Sequence, residues 1–193
     1  VDKVCQLSGK EYGQDRETDR AIRVVAEHGR GIPFLIADGV VPGNEGRGYV
    51  LRRLIRRAIR FGRKLGLEGP FLGEVAQASI ERFGGYYREL QEQREFILRV
   101  VDMEEERFQQ TFRRGSEMLE GIIQSSLKTA SANGKGSIAG SEAFVLYDTY
   151  GFPPELTQEI AREHGLEVDM EGFQRELEAQ RQRAREAHAF KGG

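Results

Sequence analysis

The chain has 193 residues, enough for one generous domain or two small ones, and its 31% charged and 38% hydrophobic residues describe a polar but folded protein rather than a disordered one. One cysteine, Cys5, rules out an internal disulfide, and three scattered histidines, His28, His164 and His188, show no paired metal-ligand spacing, so a disulfide scaffold and a zinc module are both excluded. A formal charge of −2 gives by itself no reason to expect a polyanion partner.

The start, Val1-Asp2-Lys3-Val4, is neither a signal peptide nor a methionine start, and no apolar run reaches the length of a membrane span. An intracellular chain cut from a longer protein is the expectation, with residues 1–16 as its entry segment. Beyond them, helical periodicity bounded by Pro and Gly clusters predicts helices at about 17–29, 31–39, 47–65, 71–83, 87–127, 141–150, 154–164 and 170–189. The fold class is therefore all-α. The small, polar run Thr129–Ser137 reads as a flexible linker between a helical unit at 17–128 and a smaller C-terminal helical unit at 138–193.

The second helix stops at Gly39 before a turn rich in Pro and Gly. Within it, Gly43-x-x-Gly46-x-Gly48 has the look of a phosphate cradle, but it lacks the Lys-Ser/Thr of a nucleotide-binding loop and follows no predicted strand.

The third helix is the electrostatic anomaly. Between Gly46 and Leu67 stand Arg47, Arg52, Arg53, Arg56, Arg57, Arg60, Arg63 and Lys64 with no acidic residue, so this segment is +8 and the rest of the chain is −10. At about 100° per residue, the seven basic positions from 52 to 64 share an arc of roughly 140°, opposite Leu51, Leu54, Ile55, Ala58, Phe61 and Leu65. Arginine over lysine, seven to one, favours planar bidentate contacts to phosphate. Such a face is the footprint of a polyanion site. The competing reading pairs it with acids of the same chain, such as those of the Met103-Glu-Glu-Glu106 stretch.

In the long helix, Tyr86, Ile97, Phe108 and Leu119 recur every eleven residues, with Leu90, Val101, Phe112 and Ile123 beside them. Eleven residues make 3.67 per turn, so the stripe runs nearly parallel to the axis and predicts one long straight helix across a bundle. A helix that dimerises is the alternative.

Four strings, in order, resemble the alanyl-tRNA synthetase family. Ala26-Glu-His-Gly-Arg30 is similar to that family's A-[DE]-H-x-R, and Phe34-Leu-Ile-Ala-Asp-Gly39 through Asn44-Glu-Gly-Arg-Gly-Tyr-Val-Leu-Arg-Arg53 and Arg56-Arg-Ala58 to its FLIADG…NE-x-RGYVLRR-x-IRRA segment. Ala143-Phe-Val-Leu-Tyr-Asp-Thr-Tyr-Gly-Phe-Pro153 and the arginine-rich Gln180-Arg-Gln-Arg-Ala-Arg-Glu-Ala187 complete the set. Glu27, Gly43 and Gly46 depart from the commoner pattern, and the extra glycine predicts a looser loop around Asn44.

The resemblance implies a fragment lying between a catalytic domain and an editing domain: the helical module that holds the acceptor stem of tRNA(Ala). The parent enzyme would join alanine to tRNA using ATP and Mg, with Zn in the editing domain, in the cytoplasm and with no membrane partner. The fragment itself would need no cofactor and catalyse nothing. The family identifies its tRNA by a G·U wobble pair, and by motif match Asn44 would address the uracil side while Asp148 would accept from the guanine amino group. The eight basic residues from Arg47 to Lys64 would then grip the RNA backbone. Asn44 and Asp148 stand on either side of the linker, so this scheme requires the two units to close on one groove. The rival is a helical interaction bundle that dimerises.

Overall fold

A computed structural model describes residues 1–133 and 136–191, with side chains described outside 130–135 and 187–193. Residues 134 and 135 of the polar run, and the His188 side chain, thus lie outside the described residues. Among the described residues the elements are α1 (Asp2–Ser8), α2 (Arg16–Ala37), α3 (Gly46–Lys64), α4 (Leu72–Phe83), α5 (Arg88–Glu92), α6 (Arg94–Asn133), β1 (Ser137–Ile138), α7 (Gly140–Tyr150), α8 (Pro154–Glu163), β2 (Glu167–Val168) and α9 (Met170–Lys191). The all-α class holds, and the two-residue strands form a single parallel pairing, Ser137 with Glu167 and Ile138 with Val168.

Compactness divides the chain into two units inside α6, after Gln109. The polar run does not mark this division, and residues 129–133 continue α6.

In the first unit α2 packs mainly on α3 and α4. Asp15 starts α2 by accepting from the N–H groups of Glu17 and Thr18 at 3.0 and 2.8 Å. Two helices separated near residue 30 are one helix in the structure, with Pro33 inside it. An interior proline costs about 3 kcal/mol, which the burial of Ile22, Val25, Ile32 and Ile36 along the same face outweighs. The segment 87–127 shows the opposite error, because it breaks at Gln93 between α5 and α6, where the Gln93 side chain donates to the Ala37 carbonyl at 2.9 Å. Of the eleven-residue stripe, Leu90, Ile97, Val101, Phe108, Leu119 and Ile123 are buried. Tyr86 is 87% exposed because it sits in the turn before α5, outside the helical register.

In the second unit Phe112 of α6 stacks on Phe152 at 5.9 Å between ring centroids, and a side chain at Gly115 would overlap that ring. Thr111 donates to the Tyr150 carbonyl at 2.8 Å. These contacts tie the C-terminal half of α6 to the second unit. There α7 and α9 approach closely: Gly140 lies against the Gly172–Phe173 backbone, and Tyr147 meets Phe173 edge-on at 5.6 Å.

Candidate nucleic-acid interface

The loop between α2 and α3 is built to be tight. The Gly43 N–H donates to the Gly48 carbonyl at 3.0 Å across its neck. Gly46 opens α3 at φ +58, a left-handed conformation in which a side chain is strained, and a Cβ at Gly48 would collide with the Val41 carbonyl. Where the extra glycine predicts looseness, the structure has a clasp.

Asn44 is exposed at the tip of this loop. Its Oδ1 accepts a hydrogen bond from the guanidinium of Arg52, in the second turn of α3. Arg52 turns its Nε to Glu104 Oε1 of α6 at 3.0 Å, and Arg56 places Nε and a terminal nitrogen on the same oxygen at 2.9 and 2.6 Å. Glu104 is 5% exposed, so a buried carboxylate anchors two arginines of the basic face. This is the pairing with the Met103–Glu106 stretch that the charge pattern left open.

The basic residues separate by depth. Arg47 and Lys64 are exposed, Arg52, Arg53, Arg57 and Arg63 are half-buried, and Arg56 and Arg60 are buried. Burial lowers the Arg56 pKa, and Glu104 works against that shift. Arg56 lies over the Phe108 ring, while Arg57, Arg60 and Lys64 of α3 and Arg20 of α2 surround the ring of Phe61. Arg63 donates to the carbonyls of Leu67 and Gly69, and burial lowers its pKa also. Lys64 pairs with Glu17 at 3.3 Å. A helical wheel finds this face but not its depth: the stems and two whole guanidiniums are packing groups.

His28 and Arg30, both in the Ala26–Arg30 string, face different neighbours. His28 Nε2 lies 2.9 Å from the Arg57 guanidinium, and because arginine only donates, His28 accepts there and carries its proton on Nδ1. Arg30 instead lines a cleft of about 580 Å³ between α1, α2 and α4, with Lys3, Glu27 and Arg82.

In the second unit Asp148 is exposed near the end of α7. Gln180 of α9 donates to its Oδ1 at 2.6 Å. Gln180 heads the arginine-rich string, and its partner on α7 is visible only once the two helices are packed. Arg183 and Arg185 of the same string are exposed. Among the described residues, no group of three or more His, Cys, Asp or Glu side chains is placed to hold a metal ion, and no helix is long and apolar enough to cross a membrane.

The family model described as tRNA synthetases class II (A) matches residues 1–192. Among curated proteins, the chain is 53% identical to an alanine–tRNA ligase of Dehalococcoides mccartyi (strain 195) over 190 residues, which is 98% of this chain and 21% of the relative. It is 52% identical to that of Desulforamulus reducens and 53% identical to that of Pelotomaculum thermopropionicum, in each case over 97% of this chain and 21% of the relative. The chain thus spans about a fifth of the length of the curated relatives it matches.

Proposed function

Because the chain belongs to the class II tRNA synthetases, we propose that it is the tRNA-recognition module of an alanine–tRNA ligase and reads a G·U wobble pair in the acceptor stem from the minor groove. The observation that carries this reading is the identity of about one residue in two to alanine–tRNA ligases along 97–98% of the chain. The whole ligase would use ATP and Mg to activate alanine, with Zn in its editing domain, in the cytoplasm. The Gly43–Gly48 loop lacks the Lys-Ser/Thr of a P-loop, and the ATP chemistry is assigned to the rest of the ligase.

The physical case starts from the RNA. An A-form helix hides its major groove and displays a wide, shallow minor groove. In a wobble pair the guanine 2-amino group has no partner on uracil and stands in that groove as a donor. Asp148, an exposed carboxylate, is a suitable acceptor. Asn44, an exposed amide in a clasped loop, addresses the uracil side.

The phosphate grip belongs to the basic residues that reach solvent. Arg47, Arg53, Arg57 and Lys64 are accessible enough to serve, and Arg52 reaches the loop itself. Arg56, Arg60 and the carbonyl-bound Arg63 support α3 from within. Phosphate contacts position the stem while the base-edge contacts specify it. The experiment that tests the reading substitutes Asn44→Ala and Asp148→Ala and compares binding to hairpins carrying G·U or G·C: each change is expected to erode the preference for G·U, and an unchanged preference would contradict the assignment.

A further inference from the structure

We propose that Arg52, held by Glu104, is a positioning residue for Asn44 and sets its side-chain amide to donate, so that Asn44 reads a hydrogen-bond acceptor on the uracil side of the recognition pair. The inference rests on the function proposed above and adds to it the direction of the hydrogen bond and the residues that enforce it.

The direction follows from the donor inventory. A guanidinium has donors and no acceptor, so the Asn44 atom facing Arg52 is the oxygen, whichever way the amide is drawn. With Oδ1 turned to the protein, the Nδ2 hydrogens are the groups that Asn44 offers to RNA, and their partner is an acceptor such as uracil O2 or a ribose oxygen. An amide that rotated freely would accept from a donor equally well and would discriminate less.

What stops the rotation is a chain of three groups of increasing exposure. Glu104 is buried, and its Oε1 is fixed from the interior by the two bonds from Arg56. The same oxygen takes the Nε–H of Arg52 at 3.0 Å, which sets the plane of the half-buried guanidinium. From that plane a terminal nitrogen of Arg52 meets Asn44, whose backbone is restrained by the Gly43–Gly48 hydrogen bond. A lysine at position 52 keeps the charge but has no planar fork with which to hold Glu104 and Asn44 together.

Arg52→Lys is the informative variant, because Glu104 also holds buried Arg56 and its replacement disturbs the fold. Binding of wild type, Arg52→Lys and Asn44→Asp is measured on G·U and G·C hairpins, and the Asn44 side-chain amide is followed in 1H–15N spectra, assigned by its disappearance in Asn44→Asp. Arg52→Lys is expected to lower the G·U over G·C preference about tenfold, weakening the G·U hairpin more than the G·C one, and to shift the Asn44 amide resonances. Asn44→Asp keeps a partner for Arg52 but has no donor, and is expected to lose the preference as well. The proposal is overturned if Arg52→Lys keeps the preference, if it weakens both hairpins equally as a plain phosphate contact would, or if Asn44→Asp still prefers G·U. Should wild type show no preference, the wobble-pair reading fails, and the amide signal alone decides: shifted resonances in Arg52→Lys support the positioning role and unmoved ones overturn it.

Discussion

Asn44 and Asp148 each give one oxygen to a neighbour on the same unit, Asn44 to Arg52 and Asp148 to Gln180. Removing the neighbour of Asp148 frees its rotamers without removing the carboxylate. Gln180→Ala is therefore expected to cost part of the G·U preference, and Asp148→Ala the whole contact of about 1–3 kcal/mol; paired titrations with G·U and G·C hairpins check the order. The arginines divide in the same way. Arg56→Ala breaks a buried pair and is expected to cost roughly 3 kcal/mol of stability, read as a lower denaturation midpoint. Arg47→Ala, at an exposed position, is expected to leave the midpoint alone, weaken both hairpins alike and lower the salt slope by about one. Asn44 and Asp148 can be singled out as candidates from the sequence because each lies in a string resembling a family motif. Gln180, and the burial of Arg56 and Arg60, cannot, because a wheel shows which side chains share a face and not what another helix places against it.

The elements themselves follow periodicity closely, and the failures have physical causes. The break predicted near residue 30 is absent: Gly29, Gly31 and Pro33 all lie within α2, whose apolar face is buried from Ile22 to Ile36. The long helix is interrupted at Gln93, where no Pro or Gly marks it and where the Gln93 side chain donates to the Ala37 carbonyl of α2, a long-range contact that periodicity does not carry. A long-range cap also escapes sequence reading. No side chain of α4 caps its N-terminus; Glu105 of α6, fully buried, accepts from Phe71 N–H at 3.1 Å and Leu72 N–H at 3.0 Å. Burial holds the Glu105 carboxyl above its ordinary value of 4.5, against the two N–H groups and Arg63. The folded protein therefore keeps this proton to higher pH than the unfolded chain does. Its contribution is fully present below pH 4.5 and is lost as pH rises through the raised native value. Asp102, also raised by burial, adds a slope of the same sign. Glu105→Gln, which cannot ionise, is expected to be less stable by about 1 kcal/mol and to show a shallower fall in stability between pH 4.5 and neutrality, measured by urea denaturation across that range.

For the whole molecule, the net charge of −2 conceals +8 between Gly46 and Leu67 and −10 elsewhere. Under the function proposed above, that contrast would keep RNA off acidic surface and draw it to the exposed part of the positive segment beside Asn44. That contrast was legible in the sequence, as was membership of a class II synthetase family. The division into units was not, because α6 runs through it and the side chains that tie its second half to Phe152 and Tyr150 carry the same periodicity as those before Gln109. In the function proposed above, the chain recognises one wobble pair from its minor groove while holding the stem by its phosphates. The most direct measurement is a binding titration of the chain with two acceptor-stem hairpins, identical but for G·U or G·C at the recognition pair, at several salt concentrations. Tighter binding of the G·U hairpin by on the order of tenfold or more, with affinity for both falling steeply and in parallel as salt rises, is the predicted result; equal affinity for the two hairpins, or binding insensitive to salt, would contradict it.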